Sequence, residues 1–192
     1  MSAPIDTRPC PNYPSSTLKA SVKKLLLTPL FLVLFGLILA AQEMADKPIF
    51  SKASNQTYAP VHGVPDCATL AVLKGDPNTT ASVVEIKLTP GCIVPWHWHS
   101  VNENVVPLTG LLEMYMKDEK PVILVSGDYN FLPAKHIHQD KCSGSKPCSA
   151  IVFVDGPFDI HYVDKSGAEI PADQAIAAAE KLMSKSGAKP SH

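Results

Sequence analysis

Four of the seven histidines of this chain fall within two short segments. The first reads Trp96-His97-Trp98-His99, with Glu103 a turn further on. The second ends in His136-Ile137-His138. On a strand, residues two apart face the same side, so His97 and His99 would present both imidazoles to one face. Glu103 keeps that parity if the strand continues, and a turn before it would equally swing it inward. Two imidazoles and a carboxylate suit zinc, manganese, iron, copper or nickel better than calcium. A second strand carrying His138 across would complete four ligands. The competing account is a pair of polar histidines on an exposed strand. It would serve for an isolated His-x-His, but Glu103 and the second histidine segment weigh against it.

Strands must position these groups, and the surrounding sequence supplies them. From about residue 58 to 165 short apolar runs alternate with turn signals. Thr69 to Leu73 is followed by Gly75-Asp76-Pro77-Asn78. Val84, Ile86 and Leu88 alternate with Glu85 and Lys87, and Thr89-Pro90-Gly91 turns the chain. Further strands are expected over 92–98, 112–116, 121–125, 149–154 and 158–163. Many short strands at even spacing predict an all-β sandwich or barrel. Residues 171–183 are alanine-rich with Pro171 at the start, which predicts a helix. Ile176, Ala179 and Met183 would share its packed face. The organisation read from sequence is therefore 1–41 as an N-terminal extension with a signal, 42–57 as a linker or arm, 58–165 as the barrel, and 166–192 as a helix and tail.

The two histidine segments resemble the paired motifs of the cupin superfamily. Gly91, His97, His99, Glu103 and Gly110 occupy the fixed positions of the first motif, and Gly127, Pro133 and His138 those of the second. The resemblance covers roughly 58–165. It implies an all-β cupin jelly-roll barrel, here with a short C-terminal helix. It also implies one divalent transition metal (iron, manganese, zinc, copper or nickel) held by His97, His99, Glu103 and His138. Two positions depart from the family pattern. Lys135 stands where a glycine is usual, and a left-handed backbone there would strain a lysine. That leaves either His136 or His138 as the ligand, and motif spacing favours His138. His136 and Tyr115 then become expected supports or lining of the pocket. The asparagine that often ends the second motif is replaced by Cys142. The run Gly156 to Val163 is similar to small stand-alone cupins and to the cupin lobe of zinc-dependent anti-sigma factors, without the helical partner-binding half of the latter.

Several function classes are disfavoured by composition. The chain is 192 residues long with net charge −1 and 18% charged residues. Such a balance gives no electrostatic footprint for nucleic acid. Arg8 is the sole arginine, so a bidentate fork for phosphate is missing from the barrel and sugar-phosphate chemistry is disfavoured. Within the resemblance, retention of Glu103 argues against thiol dioxygenases, which resemble three-histidine sites. The leading expectation is an oxygenase acting on a small organic molecule. A non-catalytic metal-binding, ligand-binding or sensor cupin is the alternative. Residues 25–41 form an apolar run preceded by Lys23 and Lys24 and closed by Ala40 and Ala41, the layout of a secretory signal. The run falls short of the about 20 residues that span a bilayer comfortably, and Pro29 and Gly36 interrupt it. A periplasmic or secreted protein is therefore expected, with a membrane anchor through 25–41 as the alternative. Four cysteines follow this run. Cys142 and Cys148 flank a turn-rich loop and are the expected disulfide, with Cys67 and Cys92 as a second candidate pair. Trp96 and Trp98 alternate with the histidines and should face away from the metal, toward a homodimer interface or beneath the N-terminal arm or C-terminal helix.

Overall fold

A computed structural model describes residues 48–185. The apolar run 25–41, Arg8 and Cys10, and the tail beyond 185 lie outside the described residues. Among the described residues no helix is long and apolar enough to cross a membrane.

Among the described residues a single 3-10 turn (Ala53–Asn55) is followed by eleven strands and one α-helix. They are β1 (Ala59–Pro60), β2 (Ala68–Gly75), β3 (Ser82–Leu88), β4 (Ile93–Trp98), β5 (Glu103–Thr109), β6 (Leu111–Met116), β7 (Val122–Leu124), β8 (Asn130–Leu132), β9 (His138–Ser143), β10 (Cys148–Val154), β11 (His161–Tyr162) and α1 (Ala172–Lys185). The strands form two antiparallel sheets. One has the order β1-β2-β3-β10-β5-β8 and the other β11-β4-β9-β6-β7. This is the all-β barrel expected from the alternation, in the jelly-roll form that the family resemblance implied. The facing sides bury Val84, Leu88, Val94, Val105, Leu112, Met114, Leu132 and Val152 between the sheets. Each such side chain contributes about 1.5–3 kcal/mol by leaving water.

Two disulfides join the sheets. Cys67, just before β2, bonds Cys92, just before β4. Cys142 on β9 bonds Cys148 on β10. The two bridges are neighbours, because Cys142 donates its N–H to the Cys92 carbonyl and Gly91 donates to the Cys142 carbonyl. In the other direction along β4 and β9, the register brings His97 opposite His138. One end of the barrel thus carries the sulfurs and the other the imidazoles.

Helix α1 buries Ala175, Ala179 and Met183, one residue from each of three successive turns. Ile176 is only half-buried, because the small Ala175 lies closer to the barrel. Of the run 158–163 only His161 and Tyr162 pair with β4. The segment before them is held by Phe158, whose N–H donates to the Pro77 carbonyl, instead of extending the ladder. The tryptophans do point away from the imidazoles. Trp98 is covered by the ring of His161, stacked at 3.9 Å, and Trp96 meets the edge of Tyr115 at 6.4 Å. Both tryptophans are half-buried.

Candidate metal centre

Three glycines make the turns that deliver the site. Gly91, Gly110 and Gly127 all take positive φ, at 81°, 76° and 90°. A side chain is disfavoured in that conformation. At Gly110 a Cβ would also lie 2.7 Å from the Cys148 sulfur and the Pro147 carbonyl. Lys135 occupies the position where a fourth glycine is expected, and it too is left-handed, with φ 65°. The strain anticipated from its identity is present, and the turn keeps its shape. Lys135 donates its N–H to the His99 carbonyl at 2.8 Å, tying this turn to the end of β4.

His97 and His99 project inward from the end of β4, and His138 from the start of β9. Their ligating atoms all lie within 4.8 Å of one another, and all three residues are buried. β4 ends at Trp98, so Glu103 arrives by the turn and not by a continued strand. It opens β5 in the opposite sheet. Its Oε2 stands 3.5 Å from His138 Nε2 and 3.7 Å from His99 Nε2.

The hydrogen bonds fix the orientation of each ring. His97 Nδ1 donates to the Pro95 carbonyl at 2.7 Å, and His138 Nδ1 to the His136 carbonyl at 2.9 Å. His99 Nδ1 donates to the Asp159 carbonyl. Backbone oxygen accepts only, so the hydrogen of each neutral ring sits on Nδ1 and the lone pair on Nε2. His97 Nε2 and His99 Nε2 are 3.1 Å apart. Two lone pairs facing one another at that distance repel unless a cation accepts both. His138 Nε2 and Glu103 Oε2 are buried without a hydrogen-bond partner. A donor set of three neutral imidazoles and one carboxylate, oriented by backbone and otherwise unsatisfied, fits a divalent transition metal.

Electrostatics agree with that reading. Burial holds His97 well below the ordinary histidine value, with His138 and His99 adding to the effect. Burial also lowers His99, against the pull of Glu103. Burial would raise Glu103, but His138 and His99 outweigh it and its carboxyl titrates below the usual range. Burial likewise opposes charge on His138, yet Glu103 and Asp140 raise it to about 9. A proton on His138 is thus the cation this cluster takes up when no metal competes.

Asp140 was not singled out from the sequence. It lies two residues beyond His138 on β9 and so faces inward with it, a parity signal that could have found it. Its Oδ2 is 4.0 Å from His138 Nε2. Burial chiefly raises its pKa, to about 6. Tyr115 does not line the pocket. It has the opposite parity to the buried Met114 and lies on the outer face against Trp96. His136 contributes its carbonyl to His138, and its side chain is not among those lining the cavities around the cluster. His161 is half-exposed between Asp159 Oδ2 at 3.2 Å and Glu169 Oε2 at 3.5 Å. It thereby steadies Asp159, whose carbonyl orients His99.

A cavity of about 60 Å3 reaches the cluster from the barrel mouth, where Val61, Pro77, Phe158 and Ile160 line it. A second cavity of about 40 Å3 shares Glu103 and Asp140 with the first and extends toward Leu112 and Cys148. A larger space of about 440 Å3 between α1 and the Cys67–Cys92 bridge includes none of the imidazoles.

The fold is a jelly-roll β-barrel whose buried imidazole cluster is compatible with one metal ion, and the comparisons agree with it. Residues 84–154 match the family model of the Cupin domain, so this stretch of the barrel is a cupin domain. A polyketide cyclase from Streptomyces resistomycificus aligns with 16% identity over 62% of this chain and 87% of its own, with a TM-score of 0.54. A cupin 2 conserved barrel domain protein from Rhodopseudomonas palustris aligns with 15% identity over 63% of this chain and 89% of its own, TM-score 0.52. A cupin-2 domain from Rhodospirillum rubrum covers 72% of this chain and 91% of its own at 12% identity, TM-score 0.50. At these identities the likeness is one of fold. No curated protein matches the sequence.

Proposed function

We propose that this cupin is a metal-dependent enzyme acting on a small organic molecule inside the barrel, with oxygenase chemistry as its reaction class. The observation that carries this reading is the convergence of the His97, His99 and His138 Nε2 lone pairs beside the unpartnered Glu103 carboxylate. His97, His99, His138 and Glu103 would hold the metal, which supplies Lewis acidity and, if it is iron, manganese, copper or nickel, redox chemistry. The chain's own part is to orient and to exclude water. Backbone carbonyls fix the three rings, and the apolar mouth keeps solvent from the cluster. Asp140 supplies a proton acceptor that is separate from the four ligands, with a pKa raised to about 6, close to where general bases operate.

We also read the protein as exported. The run 25–41 and the two disulfides support that reading, because stable disulfides belong to oxidising compartments. Intact-mass analysis of the protein from periplasmic and culture fractions tests it. Recovery solely in the cytoplasm with the N-terminus intact would overturn it.

Elemental analysis of protein purified without a histidine tag and under low oxygen tests the metal reading. Stoichiometric iron, manganese, copper or nickel, with oxygen uptake on a screen of small phenols and diketones, is the expected result. Stoichiometric zinc with no uptake would move the assignment to a ligand-binding or hydrolytic cupin. Full metal content in His97→Ala would remove the site itself.

A further inference from the structure

The cavity beside the cluster has an uneven wall. Most of it is aliphatic, from Val61, Leu70, Val84, Ile86, Val94 and Val152 among others, and no lysine lines it. Its polar members are His97, His99, Glu103, Asp140 and Ser82. The first three belong to the candidate metal centre, and the other two each carry an oxygen without a hydrogen-bond partner. Ser82 is 2% exposed, and its Oγ makes no hydrogen bond. Asp140 Oδ1 is likewise buried and unbonded. A buried polar atom left unpaired costs about 1–3 kcal/mol, so two of them on one apolar cavity call for a ligand that satisfies both.

Their placement says more. Ser82 opens β3 opposite Val154, and Val154 lies opposite Glu103. Ser82 therefore shares a row with Glu103 across one intervening strand, roughly 10 Å away along the large sheet. Asp140 stands on the other sheet, on the inward face of β9 with His138. The two oxygens thus serve the same space from opposing sheets. A carboxylate accepts hydrogen bonds and cannot donate them, while a serine hydroxyl does either. Charge narrows the choice further. Glu103 and Asp140 together would balance one divalent metal. An anionic ligand would meet Asp140 in a low-dielectric space, and an ammonium would set a second cation beside the metal.

We propose that Asp140 and Ser82 select the ligand, and that it is a small, uncharged hydroxyl compound with a branched aliphatic body. Its hydroxyl donates to Asp140, its apolar part fills the valine wall, and a second polar edge, where present, reaches Ser82. The cavity of about 60 Å3 limits it to a handful of non-hydrogen atoms. This inference rests on the metal-dependent reading given above.

The test uses the full chain loaded with zinc, which binds the same donor types but does not turn over oxygen. Isobutanol, isobutyrate and isobutylamine are titrated separately by calorimetry, and zinc is counted in the same samples. Isobutanol should bind about tenfold more tightly than either charged analogue. Asp140→Asn should erase its advantage over isobutyrate, and Ser82→Ala should weaken several-fold the diol analogue 2-methylpropane-1,3-diol, whose second hydroxyl supplies the further polar edge. Both variants should keep one zinc per chain. Equal or tighter binding of a charged analogue, no binding of isobutanol, or variants that bind as the parent does would each overturn the inference. A parent protein that holds no stoichiometric zinc would instead defeat the metal reading.

Discussion

Lys135 and His138 lie in one turn and answer to different physics. Lys135 holds a left-handed backbone, φ 65°, that costs a non-glycine residue about 1–2 kcal/mol. Glycine would remove that strain but lose more chain entropy, by roughly 0.5–1 kcal/mol. Lys135→Gly should therefore raise stability by several tenths to about 1 kcal/mol in urea denaturation, and a loss would show that the lysine side chain contributes packing outweighing its strain. His138 makes a prediction about protons. Its pKa is raised to about 9 by Glu103 and Asp140 against the effect of burial, so the metal-free protein carries that proton at neutral pH. Metal needs the bare Nε2 and must displace it. Metal uptake near neutral pH should release about one proton per chain, and affinity should fall as pH drops below about 9. Calorimetry in buffers of different ionisation enthalpy reads this directly, and uptake without proton release would place the proton elsewhere. For the metal-free fold the sign is set by the same shift. The stabilisation from His138 is complete below the ordinary value of 6.5 and is lost as pH rises through about 9.

β4 and β9 carry the imidazoles at one end and the neighbours of both disulfides at the other, and this separation has a consequence for redox behaviour. A native disulfide contributes about 2–4 kcal/mol, mainly by restricting the unfolded chain. The bridge from Cys67 to Cys92 spans 25 residues and that from Cys142 to Cys148 spans 6, so the first should contribute more. Cys67→Ser/Cys92→Ser should lower the melting temperature further than Cys142→Ser/Cys148→Ser, while both keep full metal content. Metal loss from either pair would mean that the sulfur end governs the imidazole end. Much of this architecture was legible in the sequence. Period-two alternation marked β3 and β6, an apolar run between turn signals marked β10, and motif spacing marked His97, His99, Glu103 and His138. The breaks are instructive. β8 is too short for alternation to register. β11 is cut to two residues because the Asp159 carbonyl is turned toward His99 instead of into a ladder. Ser82 has no spacing signature, and the parity that Asp140 shares with His138 places it on the inward face without saying what it serves. They become visible only when two sheets bring them to one cavity.

The two sheets are closed upon one another by cross-links of different kinds at opposite ends. The sulfur end is covalent, through Cys67–Cys92 and Cys142–Cys148. At the other end His97, His99 and His138 come from one sheet and Glu103 from the other, so a metal held by all four would join the sheets as well. Without it, the His97 and His99 lone pairs still face one another, and the protonated His138 beside Glu103 is the weaker link left between the sheets there. A ligand that binds only the folded state stabilises it by mass action, about 4 kcal/mol at a thousandfold excess over its dissociation constant. Chelation should therefore lower the melting temperature by several degrees, independently of the disulfides. The two effects act far apart and should add. Calorimetric unfolding in four conditions, with and without chelator and with and without reductant, separates them. Additive losses would show a barrel fastened independently at each end. A chelator effect that vanishes once the disulfides are reduced would show instead that the imidazole cluster forms only when the sulfur end is already closed.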